Sequence, residues 1–377
     1  MKRLAGFALA AVALLAAAAW LYGRPRTDVR KASFVIFGGL TDVELRGVPA
    51  QTAATAFGAI GEQLQRDQRA WHPWEMSDLM RLNAAIAQGL PYQASPELAG
   101  LLRSAQQGYV RSQGLFNAAI GSLVGLWGFH TSDYPITTPP PPQSTIDGIL
   151  ATKPRMDEIS VAEDGTVASR NRHIQLDLNG LAEGYAAEQI AALLKRQGIA
   201  NALINVGGDV LALGQADGRP WRVGISSPEH KTLAGVELRG HEALFSSGNY
   251  NKFRKREGER FGHVLDPRDG RPARGVAAVS VIHADAVVAD MASTSLMIGG
   301  ADGLESLARS LGVSCVLLVA EDGTVWISPA MQQRLSFTTP PQNLRVSADL
   351  GSRCAGSGSG PQPLPAAPSA APALSSQ

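Results

Sequence analysis

At 377 residues and 45% hydrophobic content, the chain is long enough for two average domains or one large α/β body, and it can bury a sizeable core. Its 34 Lys/Arg and 33 Asp/Glu nearly cancel, which excludes a global basic field for nucleic acid and makes any phosphate recognition local. The two cysteines, Cys315 in an apolar run and Cys354 in a Gly/Ser-rich stretch, show neither CxxC nor Cys/His spacing, so neither a disulfide framework nor a zinc site is expected.

Met1, Lys2 and Arg3 precede an uncharged Ala/Leu-rich stretch from Leu4 to Tyr22, long enough to cross a hydrocarbon core of roughly 30 Å as a helix. No Cys follows to take a lipid, and no small-residue cleavage site stands between Ala19 and Arg26. Residues 1–26 therefore read as a signal anchor, with a cleaved signal peptide as the alternative. Lys2 and Arg3 on one side face Arg24, Arg26, Arg30 and Lys31 on the other, so charge leaves the orientation open.

The folded body is expected over 33–347 as an α+β or mixed-sheet unit. Residues 33–37 and 43–47 read as a hairpin. A helix begins at Ser95, with Pro96 at its first position, Glu97 beside the positive end of its dipole, and Leu98, Leu101 and Leu102 on one face. Ala186, Ile190, Leu193 and Leu194 mark another, stopped by Gly198 before the strand-like 202–206. The heptapeptide at 161–167 recurs at 319–325, and its Asp-Gly predicts a hairpin turn in both places. Met291, Leu296, Met297 and Ile298 make the stretch after Ala289 helical until Gly299 and Gly300, and a second helix runs over 302–310. From Gly351 to 377 the Gly/Ser and then Pro/Ala composition predicts a disordered tail.

Four segments concentrate Gly, carboxylates and hydroxyls as needed where backbone approaches a phosphate: 176–186, 205–209, 246–250 followed by 263–267, and 289–296. In the last, Asp290, Ser293 and Thr294 share a helical face, a hard-oxygen set suited to Mg²⁺, unless Asp290 merely starts the helix and the hydroxyls only pack. Gly207-Gly208 could cradle a phosphate or form a tight turn, without Walker or GxGxxG spacing. His263 and Asp266 could be a base and its orienter, or a strand end and a turn. Trp71 and Trp74 could stack on a flat ring or pack a loop.

Taken in order, these segments resemble the ApbE family of FAD:protein FMN transferases over roughly 33–330. Phe37-Gly38 resembles the family's Met-Gly-Thr hairpin, residues 76–83 its Ser-x-Leu-Ser-Arg-Leu-Asn signature, and residues 114–129 the stretch from Gly-x-Phe-Asp-Pro to Leu-Trp-Gly-Phe. The Asp-Leu-x-Gly, Asn-x-Gly-Gly, Ser-Gly-x-Tyr, His-x-x-Asp-Pro and Ala-Asp-x-x-Ser-Thr elements follow. The resemblance implies an ApbE-like, T-fold-related α+β fold in a single large catalytic domain, with FAD as substrate and Mg²⁺ as cofactor. The Gly180 carbonyl, Asp290, Ser293 and Thr294 would surround Mg²⁺. Phe37, Trp71, Leu115, Phe116, Asn117, Asp177, Glu183, Val264 and Leu265 would line the FAD site, with His263 the candidate base and Asp290 essential to catalysis. FMN would pass to a Ser/Thr hydroxyl of a flavoprotein of a membrane electron-transfer system, with AMP released, on the periplasmic side of a bacterial inner membrane. Alternatives on the same residues are an FAD pyrophosphatase and a non-catalytic flavin-binding protein. Asn117, Ala118, Glu183, Trp71 and Asn179 depart from the family's Asp, Pro, Lys, Tyr and Gly or Ser at those positions.

Overall fold

The computed structural model describes residues 28–36, 39–229 and 231–354. The N-terminal apolar stretch, Phe37-Gly38 and the tail beyond Cys354 lie outside the described residues. Hairpin β1 (Val29–Ile36) and β2 (Gly39–Arg46) leads to α1 (Ala50–Trp71), α2 (Asp78–Gln88), β3 (Tyr92–Gln93) and α3 (Pro96–Arg111). Short helices α4 (Gly121–Leu126) and α5 (Gln143–Ala151) and hairpin β4 (Ile159–Val161) and β5 (Thr166–Ser169) precede α6 (Asn179–Arg196). Then come β6 (Ala202–Val206), β7 (Asp209–Leu213), β8 (Trp221–Ser226), β9 (Thr232–Leu238), β10 (Glu242–Gly248), β11 (Phe253–Arg256), β12 (Glu259–Gly262) and β13 (Val276–His283). Helix α7 (Ala286–Leu311), β14 (Cys315–Ala320), β15 (Val325–Ile327), α8 (Pro329–Gln332), β16 (Leu335–Phe337) and β17 (Leu344–Val346) close the described chain.

The expected α+β class is what forms. Nine strands make one sheet in the order β1-β2-β6-β7-β10-β13-β14-β15-β17, antiparallel except for the last pair. One face packs against α1, α6 and α7 through Ile60, Leu64, Ile190, Leu194, Leu296 and Met297; the other is covered by the β16-β9-β8 sheet and α8. Helices α2 and α3 form an outer layer around Leu79, Leu82, Leu98 and Leu102.

Local signals account for the elements that position the site. The Ser95 side chain caps α3, with Pro96 in its first turn. Both Asp-Gly turns close hairpins, β4–β5 and β14–β15. Helix α7 starts three residues before Ala289, because the Asp285 carboxylate accepts the Val287 and Val288 N–H groups. Gly300 breaks it at φ 68°, ψ −173°, dividing the helix where Gly299-Gly300 predicts. Helices α6 and α7 cross closely at Gly184, where a Cβ would lie 2.5 Å from the Ala286 carbonyl oxygen.

The cysteine reading is corrected: Cys315 and Cys354 form a disulfide, so packing continues past residue 347 to Cys354. No spacing rule announces a lone pair 39 residues apart, because the chain's path makes it. Strand β17 adds in parallel to the sheet edge at β15, the Ser314 hydroxyl donates to the Leu350 carbonyl at 2.8 Å, and Cys354 comes to rest beside buried Cys315.

Candidate active site

A cleft of about 440 Å³ opens where the N-terminus of α6, the β6–β7 turn, the end of β10, the β12–β13 connection and the second turn of α7 converge. Among the sequence-predicted residues, Leu115, Phe116, Asn117, Asp177, Gly180, Glu183, His263, Val264, Leu265, Asp290 and Thr294 line it. Ser293 lies just behind, its hydroxyl 2.9 Å from the Asp290 carbonyl. Trp71 does not line the cleft: it is 1% exposed in the helical core, edge-on to Tyr185 at 5.6 Å. Trp74 does line it, stacked on His130 at 5.6 Å.

Asn83 holds the approach to α6, donating to the Leu176 carbonyl at 3.0 Å and accepting the Leu176 N–H at 2.8 Å. One oxygen of the following Asp177 accepts the Asn179 N–H at 2.9 Å, and the other lies 2.9 Å from His130 Nε2. Asn117 bridges backbone, donating to Pro154 at 2.9 Å and accepting the Ala119 N–H at 3.1 Å. Gly207 and Gly208 form the two-residue turn between β6 and β7, with φ of 65° and 112°, and a Cβ at Gly207 would come 3.0 Å from the Glu183 carboxylate. The tight turn is thus also cleft wall.

Three carboxylates meet here. Asp290 accepts the Gly184 N–H at 3.0 Å, tying α7 to α6, and Asp209 accepts the Ser246 N–H at 2.7 Å. Burial pushes Glu183, Asp209 and Asp290 up, Glu183's charge adds to the rise at the other two, and nearby Lys252 counters it at all three. Beside them the Ser247 hydroxyl lies 2.7 Å from that of Ser293 and 3.2 Å from that of Thr294.

Among the described residues no three His, Cys, Asp or Glu side chains make a metal shell by themselves. The Asp290 carboxylate, the Ser293 and Thr294 hydroxyls and the Gly180 carbonyl nevertheless fit Mg²⁺. They are hard oxygens in a pocket whose excess negative charge faces one ammonium, and Mg²⁺ completes its shell with water and substrate phosphate oxygens.

His263 sits at the cleft wall, edge-on to Phe129 at 6.4 Å, with Nδ1 buried and unpartnered among the described residues. Burial, reinforced by Lys252, lowers its pKa to about 4. Asp266 does not orient it: that carboxylate pairs with Arg268 at 2.6 Å within a turn. Burial also raises the phenol of Tyr134, another lining residue, to about 12, so it is neutral at pH 7, and its O–H donates to the Phe129 carbonyl at 3.2 Å. Trp74 is the member of the predicted Trp71/Trp74 stacking pair that reaches the cleft, while Asp209, Ser247, Lys252 and Tyr134 were not singled out from sequence. Asp209 and Ser247 stand inside the Gly-rich segments, whereas nothing local marks Lys252 or Tyr134.

A model of the ApbE family matches residues 39–317. An FAD:protein FMN transferase of Rhodobacter capsulatus is 39% identical over 334 residues, covering 88% of this chain. The chain spans only 62% of that relative's length. Another FAD:protein FMN transferase, from Klebsiella pneumoniae (strain 342), is 31% identical over 76% of this chain and 84% of its own. Among solved structures, an ApbE protein of Thermotoga maritima matches with TM-score 0.73 and 24% identity over 81% of this chain and 99% of that one, a likeness of fold.

Proposed function

The chain belongs to the ApbE family, and from that premise we propose that it is a Mg²⁺-dependent FAD:protein FMN transferase. A Ser or Thr hydroxyl of an acceptor flavoprotein attacks the FMN-side phosphorus of FAD. The new P–O bond replaces the pyrophosphate bridge, and AMP leaves. The observation that carries this reading is the division of the cleft. Leu115, Phe116, Val264, Leu265 and Trp74 give it apolar surface for a flavin, while Glu183, Asp209, Asp290 and the hydroxyls of Ser247 and Thr294 gather where a cation-bridged pyrophosphate would lie.

Mg²⁺ held by Asp290, Ser293, Thr294 and the Gly180 carbonyl would neutralise charge on the phosphate oxygens. The chain's own groups position the rest. Gly207 and Gly208 let backbone approach closely, and Lys252 offers a cation for a leaving phosphate. His263 is neutral at pH 7, so it can take the hydroxyl proton as the P–O bond forms; its low pKa suits it to passing the proton on rather than holding it.

The proposed location is the periplasmic side of a bacterial inner membrane, with flavoproteins of a membrane electron-transfer system as acceptors. The apolar stretch 4–22 supports an anchor, and the Cys315–Cys354 bond supports an oxidising compartment. The test is to incubate the chain with FAD and Mg²⁺, with and without an acceptor, following AMP and covalent flavin together. Labelled acceptor matched by AMP, lost in Asp290→Ala, is expected. AMP with free FMN and no labelling would instead make the chain a pyrophosphatase, and intact FAD throughout would exclude both.

A further inference from the structure

Residues 251–274 hold eight Lys/Arg against four Asp/Glu in a chain of net charge +1, so the rest of the chain is net acidic. Two segments share this charge, the β11–β12 hairpin and the turn after His263, and Trp127 holds them side by side. Its carbonyl accepts from Arg254 of β11, its ring packs on Phe261 of β12 at 5.8 Å, and its indole N–H donates to the Gly270 carbonyl at 2.8 Å. Arg254 is 3% exposed and, among the described residues, donates only to neutral oxygens, those of Trp127, Thr138 and Pro139. The hairpin is therefore fixed from within by one buried guanidinium.

The remaining cations reach the surface. Lys252, Lys255, Arg256, Arg260, Arg268, Arg271 and Arg274 are all exposed. Arg256 pairs with Glu257 at 3.2 Å and Arg268 with Asp266 at 2.6 Å, whereas Lys252, Lys255, Arg260, Arg271 and Arg274 make no ion pair among the described residues. Of these cations Lys252 lines the cleft, and the segments that carry the others also supply His263, Val264 and Leu265 to its wall, so the basic surface adjoins the cleft as a rim.

We propose that this rim is the docking surface for the protein acceptor, and that the acceptor presents acidic side chains around its target hydroxyl. The inference rests on the transferase reading. A fixed, like-signed rim beside a reaction cleft raises the encounter rate of an oppositely charged partner and orients it, and salt screens the effect. An anionic lipid surface would also attract these charges, but seated on this rim it would cover the cleft through which the acceptor must enter.

The experiment compares the full chain with its Lys255→Glu/Arg274→Glu variant on an acceptor that the unaltered chain labels. KM for the acceptor should rise about tenfold with kcat nearly unchanged, and the salt dependence of kcat/KM should flatten. Replacing acidic residues near the acceptor's target by Lys should restore part of the loss in the variant. An unchanged acceptor KM, or salt-independent labelling by the unaltered chain, would overturn the inference. So would a variant that loses only binding to phosphatidylcholine/phosphatidylglycerol vesicles while labelling the acceptor normally. No labelling by the unaltered chain would instead be failure of the transferase reading itself.

Discussion

Replacing Asp67 by Asn should stabilise the protein, and by more at alkaline pH. Asp67 lies on α1 and is fully buried; one carboxylate oxygen accepts from Gln63 at 2.8 Å, while the other is buried with no partner among the described residues. Burial raises its pKa from 3.8 to about 7, the Gln63 hydrogen bond opposes the rise, and Glu97 adds to it. Between about pH 4 and 7 the folded chain keeps a proton that the unfolded chain has released, so stability falls as pH rises through that window. At 1.36 kcal/mol per unit, the penalty is about 2 kcal/mol at pH 5 and about 4 kcal/mol at pH 8.5. Asn cannot ionise and can still accept from Gln63. Urea unfolding of both proteins at the two pH values should show the variant's advantage growing by about 2 to 3 kcal/mol on the alkaline side. An equal difference at both pH values would refute the reasoning, since the carboxylate would then carry no buried charge. Flavin transfer should not change, because Asp67 lies outside the cleft.

His263→Gln should act in the opposite pH direction on stability. With its folded pKa lowered to about 4, the unfolded chain binds the extra proton between pH 4 and 6.5, so the unaltered protein should lose about 2.5 kcal/mol relative to the variant on going from pH 7.5 to 4.5. The same variant should slow flavin transfer by about 100-fold while FAD binding is retained, and an unaltered rate would remove His263 from the chemistry. Opening the Cys315–Cys354 bond, by reductant or by replacing both with Ser, should cost about 2 to 4 kcal/mol for a loop of 39 residues. A urea midpoint indifferent to reductant would show that the disulfide contributes nothing to stability.

Legibility in the sequence followed the range of the interaction. Asp290, Ser293 and Thr294 could be read as one face because helical spacing places them there, and the caps at Ser95 and Gly198 act within a turn. Trp71 was also decidable locally. Ala53, Ala56, Ile60, Leu64, Asp67 and Trp71 recur at three- and four-residue steps, so Trp71 belongs to the buried stripe of α1, and the extended His72 before Pro73 ends the helix and frees Trp74 to reach the cleft. Lys252 and the Cys315–Cys354 pair had no comparable local signal, because their partners lie 38 to 69 residues away and meet them only through the sheet's order. The convergence of Glu183, Asp209 and Asp290 is where local consistency fails most plainly. A chain selected for stability alone would not bury three carboxylates around one Lys252 when apolar side chains could fill the space. Their convergence in the cleft is intelligible if the proposed Mg²⁺ offsets their charge together with that of a pyrophosphate during turnover.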